Sequence, residues 1–124
     1  MPGTDHHIFR IAKIVHENGT IKAFFDVNFE NEIFGGHFPG QPVVPGACLL
    51  QLIKEILEEA LEKPLRLKKA IQLKFINMVL PGDNELILEL SYKLIANEIS
   101  VTGKIANAEV VCFKFQGSFI KTAL

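Results

Sequence analysis

Between residues 21 and 29 the chain alternates strictly: Ile21, Ala23, Phe25, Val27 and Phe29 fall on one side, Lys22, Phe24, Asp26 and Asn28 on the other. A period of two predicts a half-buried strand. Immediately before it, Glu17-Asn18-Gly19-Thr20 carries Asn-Gly, a hairpin signal because both residues tolerate positive φ. The mixed apolar and basic stretch Ile8–His16 is therefore expected to lead into that turn as a partner strand, and Asn31-Glu32 to begin the next turn. Two later segments repeat the alternation. Leu86, Leu88, Leu90 and Tyr92 oppose Glu89, Ser91 and Lys93 over residues 85–94, and Ile99, Val101 and Ile105 oppose Glu98, Ser100, Thr102 and Lys104 over 97–105. Residues 109–120 place Val111, Phe113 and Phe115 on one face, and residues 66–79 form a long strand candidate that ends at Leu80-Pro81-Gly82-Asp83-Asn84.

The period changes only between Gly46 and Glu62. There Leu49, Ile53, Ile56, Leu57 and Ala60 share one face and Gln51, Lys54, Glu55, Glu58, Glu59 and Glu62 the other, which predicts one amphipathic helix of about seventeen residues, stopped by Pro64. Its polar face has no charge before Lys54; Ala47, Cys48 and Gln51 are its first groups, as though a ligand or a partner covered that end. Two strands, one helix and a meander give an α+β order with an antiparallel sheet of five or six strands. One helix covers one sheet face, so dimerisation that extends the sheet is expected.

Length and composition narrow the classes. The 124 residues suit one domain, 1–124, with 48% hydrophobic and 22% charged residues, ten Phe and no Trp. A net charge of −1 argues against nucleic-acid binding. No apolar run approaches the roughly 20 residues of a membrane span, and Met1-Pro2-Gly3-Thr4-Asp5 has no signal-peptide character. Cys48 and Cys112 make no disulfide framework, which favours a reduced, cytoplasmic setting. His6, His7 and His16 lack metal spacing and read as surface residues, so neither metal nor cofactor is expected.

The chemistry concentrates in Phe34-Gly35-Gly36-His37-Phe38-Pro39-Gly40-Gln41-Pro42-Val43-Val44-Pro45-Gly46, with four glycines, three prolines and one histidine. Pro45-Gly46 opens the helix, where proline's missing donor is not needed and a backbone N–H with the positive end of the dipole behind it suits an oxyanion. His37, a base that titrates near neutrality, lies a short loop away. The residues alone also permit a plain turn with a surface histidine.

The string from His37 to Gly46 resembles the signature of the 3-hydroxyacyl-[acyl-carrier-protein] dehydratases, which have the hotdog fold. Asn31-Glu32-Ile33-Phe34-Gly35-Gly36 is similar to their lead-in and Val79-Leu80-Pro81-Gly82-Asp83 to their later turn. The resemblance spans roughly Ile8 to Phe119. It implies one long central helix wrapped by a five- to six-stranded antiparallel sheet, His37 as the base at the α-carbon, and the Gly46 amide holding the thioester oxygen. Phe38, Pro45 and Ala47 would adjoin the substrate. The implied partners are an acyl-carrier-protein or CoA thioester and a second chain in a homodimer or larger dimer-based oligomer, with sites at the dimer interface; nucleic acid and membrane are not implied.

One position departs from that pattern. Fourteen residues after the histidine the family places a carboxylate, and here stands Gln51. An amide hydrogen-bonds a hydroxyl but does not deliver a proton at neutral pH, and general acid catalysis contributes about 10²–10⁴-fold. Four readings follow: a heteromer whose other dehydratase-like chain supplies the acid; a homomer on substrates whose hydroxyl leaves easily; a thioester hydrolase with Gln51 positioning water; or a non-catalytic acyl-binding subunit. Glu55, the nearest carboxylate on that face, is a candidate substitute acid, although membership of a glutamate-rich solvent face is the simpler role. Cys48 sits where the dipole lowers a thiol pKa, though a small apolar filler is the simpler role. Lys63, Arg66, Lys68 and Lys69 suit the helix C-terminus or an acidic carrier. Phe75, Met78, Phe113 and Phe115 are core residues by default and acyl-channel candidates otherwise.

Overall fold

The computed structural model describes residues 8–28, 44–79, 85–108 and 110–122. It contains β1 (Phe9–Glu17), β2 (Thr20–Val27), α1 (Gly46–Leu61), β3 (Leu65–Phe75), β4 (Leu86–Ile95), β5 (Glu98–Asn107) and β6 (Val110–Lys121). The strands form one antiparallel sheet in the order β1-β2-β4-β5-β6-β3, with α1 packed against it. Among the described residues, six strands and one helix make the expected architecture. No described helix is long and apolar enough to cross a membrane.

The alternation places the core. Ile21, Ala23, Phe25 and Val27 are buried, while Lys22, Phe24 and Asp26 are half-buried on the other face. Asn18 and Gly19 take φ of 34° and 80° between β1 and β2, the positive φ that two-residue hairpins require. Register then stacks side chains in rows across the sheet: Ala23 faces Leu88, Leu88 faces Ile105, Ile105 faces Phe113, and Phe113 faces Phe75. Leu49, Leu52, Ile53, Ile56 and Leu57 of α1 close the core from above.

Four boundaries or phases differ from expectation. Leu52, absent from the expected apolar face, is buried beside Ile53, so the stripe is wider than the i, i+4 series. Along β6, Val111 is half-buried and Cys112 and Phe113 are consecutively buried, because Ile105 pairs with Phe113 and Ala106 with Val111, leaving Cys112 as a bulge. The helix stops at Leu61, before Pro64: Glu62 adopts φ 54°, and its N–H and that of Lys63 both donate to the Glu58 carbonyl. Strand β3 ends at Phe75 rather than Val79, because the N–H groups of Ile76 and Asn77 both turn onto the Cys112 carbonyl and Asn77 Nδ2 donates to the Val111 carbonyl at 2.8 Å.

The helix end is tied to β3 by one side chain. Glu58 accepts the Leu65 N–H at 2.8 Å and pairs with Lys54 at 3.3 Å. No basic residue lies in the last turn of α1, so the cluster Lys63, Arg66, Lys68 and Lys69 begins beyond the helix, and Lys68 is paired with Glu98.

Candidate active site

Pro45, with φ −62° and ψ 144°, enters α1 from extended backbone, and Gly46 is the first helical residue. No described side chain caps this end, and no acidic residue lies in its first turn. The first N–H groups of a helix have no intrahelical acceptor, so the start of α1 presents donors without a competing anion of its own.

Gly46 stands at a close approach to a ring from β3. A Cβ there would stand 2.4 Å from Cζ of Phe75, whose ring lies across the helix start. Phe75 in turn packs on Phe113, with ring centroids 5.0 Å apart. Beside this contact opens a cavity of about 250 Å³ lined by Val44, Leu49 and the run from Phe75 through Ile76, Asn77 and Met78 to Val79. Its wall is apolar except for Asn77, whose amide is engaged with the Val111 carbonyl. The uncapped amides and an apolar cavity therefore adjoin each other, an arrangement that suits a polar head on an aliphatic tail.

The expected residues fall as follows. Gly46 stands at the helix start. Pro45 is half-buried and Ala47 exposed on either side of it, and the cavity wall is built instead from Val44 and Leu49. Gln51 follows on the exposed side of the helix, about 7.5 Å along the axis from Gly46. Its Nε2 donates to Glu55 Oε2 at 3.0 Å. His37 and Phe38 lie outside the described residues, as do Asn31, Glu32, Phe29, the Pro81-Gly82-Asp83 turn, His6 and His7. Of the acyl-channel candidates, Phe75 and Met78 line the cavity, while Phe113 and Phe115 are core.

Sequence reasoning did not single out Val44, Ile76 or Asn77. The available signal was the adjacent pair Phe75-Ile76, where two neighbouring apolar side chains break the strand period. Cys48 also departs from the dipole expectation: burial pushes its thiol above the usual range. His16 is exposed and hydrogen-bonded to the Tyr92 hydroxyl. No metal-ligand cluster occurs among the described residues, and the two cysteines are not joined to each other.

Comparison with known proteins gives the family and the fold. Residues 13–116 match the ApeI-like family, described as ApeI dehydratase. The 3-hydroxyacyl-[acyl-carrier-protein] dehydratase FabZ of Xanthomonas euvesicatoria is 32% identical over 120 residues, covering 83% of this chain and 78% of that protein. FabZ of Xanthomonas campestris strain B100 is 33% identical over 122 residues, covering 85% and 79%. Among solved structures, the dehydratase heterocomplex ApeI:P from Xenorhabdus doucetiae superposes with a TM-score of 0.78 over 90% of this chain and 97% of that one, at 16% identity. The E. coli PaaI protein superposes with a TM-score of 0.67 over 93% of this chain and 80% of that one, at 14% identity. The fold is thus the hotdog fold.

Proposed function

The chain belongs to the ApeI-like dehydratase family, and from that membership we propose that it removes water from 3-hydroxyacyl thioesters on an acyl-carrier protein, in fatty-acid or related lipid or polyketide synthesis. His37 takes the proton from the α-carbon. The Gly46 amide holds the thioester oxygen as it gains enolate charge, a task for a donor that is fixed and need not ionise. Gln51 meets the 3-hydroxyl, and Phe38, Pro45 and Ala47 adjoin the acyl thioester. No cofactor takes part, and the setting is cytoplasmic.

The observation that carries this reading is the uncapped start of α1 beside an apolar cavity. At about 250 Å³ that cavity is smaller than the roughly 300–1,000 Å³ of most ligand pockets. A second protomer, paired along the exposed edge strand β3, would enlarge it.

A dehydration assay with short and medium 3-hydroxyacyl thioesters tests the proposal. Enoyl product with the wild type and its loss in His37→Ala, at unchanged thermal stability, is the expected result. Hydrolysis of the thioester without enoyl product would replace dehydratase by thioester hydrolase.

A second reading is favoured by Gln51. The chain would pair along β3 with a different dehydratase-like chain that carries the acid, as the likeness to a dehydratase heterocomplex suggests. Enoyl formation that appears only after mixing with such a chain would select this reading.

A further inference from the structure

The hydrogen bond between Gln51 and Glu55 brings a carboxylate within 3.0 Å of the Gln51 amide, where the helix lacks one. Side chains on a helix lean toward its N-terminus, so residue 55 can reach back over the turn that holds residue 51. It does so here, with Oε2 of Glu55 3.0 Å from Nε2 of Gln51. A glutamate at position 51 would put its own carboxylate where the Gln51 amide now lies. The Glu55 carboxylate therefore stands about one hydrogen bond from that place. Other charges leave it available. Lys54, the adjacent cation, is engaged by Glu58 at 3.3 Å, and no described cation pairs with Glu55. One N–H of Gln51 is used on Glu55, and its carbonyl oxygen and second N–H remain for a hydroxyl.

We infer that Glu55, held by Gln51, is the general acid of this chain, so that the acid has moved one helical turn along α1 while its working position has been kept. The inference rests on the dehydratase reading. In the step, the C2–H bond breaks and its proton goes to the His37 imidazole. The electron pair forms the C2–C3 double bond and the C3–O bond breaks. The O–H bond of the Glu55 carboxylic acid breaks and its proton joins the departing hydroxyl, directly or through one water that accepts one proton and gives another, so that water leaves. His37 then releases its proton to solvent and Glu55 regains one.

The test is steady-state dehydration of a 3-hydroxyacyl N-acetylcysteamine thioester, followed by enoyl absorbance. The proteins are the wild type, His37→Ala, Glu55→Gln, Glu59→Gln, Gln51→Glu and the double variant Gln51→Glu/Glu55→Gln. Glu55→Gln is expected to lower kcat about 100-fold with KM within twofold, whereas Glu59→Gln, at an exposed site on the same helix, leaves both unchanged. The double variant is expected to recover to within tenfold of Gln51→Glu, because the acid then stands at 51 and Glu55 is no longer needed; a merely structural Glu55 would give no such rescue. A kcat for Glu55→Gln within threefold of wild type overturns the inference. So does a silent wild type beside an active Gln51→Glu, which leaves the dehydratase reading standing. Silence of both overturns the inference and the reading together.

Discussion

Strands β6 and β3 lie side by side in one ladder, yet they meet opposite fates. In β6, Phe113, Phe115 and Phe119 are at most 1% exposed. In β3 only Leu65 is buried, and Ile71, Leu73 and Phe75 are 58%, 44% and 59% exposed. Composition separates them only in part, with Arg66, Lys68, Lys69 and Lys74 in β3 against Lys114 and Lys121 in β6, and the direction of the side chains does not: Leu73 pairs with Phe115 and Phe75 with Phe113, so these apolar groups stand in the same rows as the core. Position does. β6 has a strand on each side, whereas β3 is the edge, with no described strand on its other side. Natural edges are blunted with charge, proline or bulges. β3 has two irregularities, at Leu67/Lys69 and Ala70/Gln72, and lysines at 68, 69 and 74, but keeps an apolar run toward the cavity. This apolar edge beside the candidate active site is where the proposed pairing with a second chain would form.

Truncating each member of the Phe75–Phe113 pair divides the two regions most sharply. Phe113→Ala empties a fully buried site and is expected to cost about 3–5 kcal/mol. Phe75→Ala removes a ring that is mostly in water in the single chain, and is expected to cost under about 1 kcal/mol there. Denaturant unfolding at low protein concentration measures both. Equal costs would mean that β3 is as much part of the closed core as β6.

Association is the next lever. Ile71→Lys together with Leu73→Lys places two charges on the edge and is expected to weaken self-association at least 100-fold by sedimentation. Unfolding of the dilute chain is expected to change by less than about 0.5 kcal/mol, as for exposed substitutions generally. Association that survives both lysines would move the interface away from β3.

The same division explains what the sequence revealed. Where a strand has neighbours on both sides and the helix above, burial follows the pattern: β2, β4 and β5 bury the residues their alternation selects, Ile21 to Val27, Leu86 to Leu90, and Ile99 with Val101 and Ile105. Where pairing geometry shifts the phase, the pattern misleads. Cys112 is an extra residue in β6 that no propensity marks, and β3 ends at Phe75 because of hydrogen bonds from Ile76 and Asn77 to a strand remote in sequence. For the site, the helix start at Gly46 was legible from Pro45-Gly46. The ring that lies against it was not, since Phe75 is far along the chain and is brought to Gly46 by the fold. Nor did the glutamate-rich face of α1 show which of its members turns back onto Gln51.

A smaller effect lies in the first hairpin, within the self-sufficient part of the sheet. Gly19 has φ 80°, and a Cβ there would lie 3.3 Å from the Tyr92 carbonyl. Gly19→Ala is expected to cost about 1 kcal/mol without altering association, by thermal unfolding and sedimentation together. A change in association would link the hairpin to the β3 edge, which the comparison forbids.

The smallest expected effect is read at Cys48, where the helix start meets the uncovered region. Burial raises its thiol pKa even though the helix dipole acts in the opposite sense. With its pKa raised by burial, the thiol is protonated at neutral pH. The sign for stability follows: the unfolded chain releases this proton at a lower pH than the folded chain does. The contribution is complete below the unfolded thiol value, about 8.5, and is lost as pH rises through the higher folded value. Iodoacetamide labelling of Cys48, localised by mass spectrometry across pH 7–10, is expected to be slower than that of an unstructured thiol. A partner covering this end of the helix would desolvate the thiol further, so the wild type should label more slowly than the Ile71→Lys/Leu73→Lys variant. Identical profiles would show that whatever pairs with β3 leaves the helix start open.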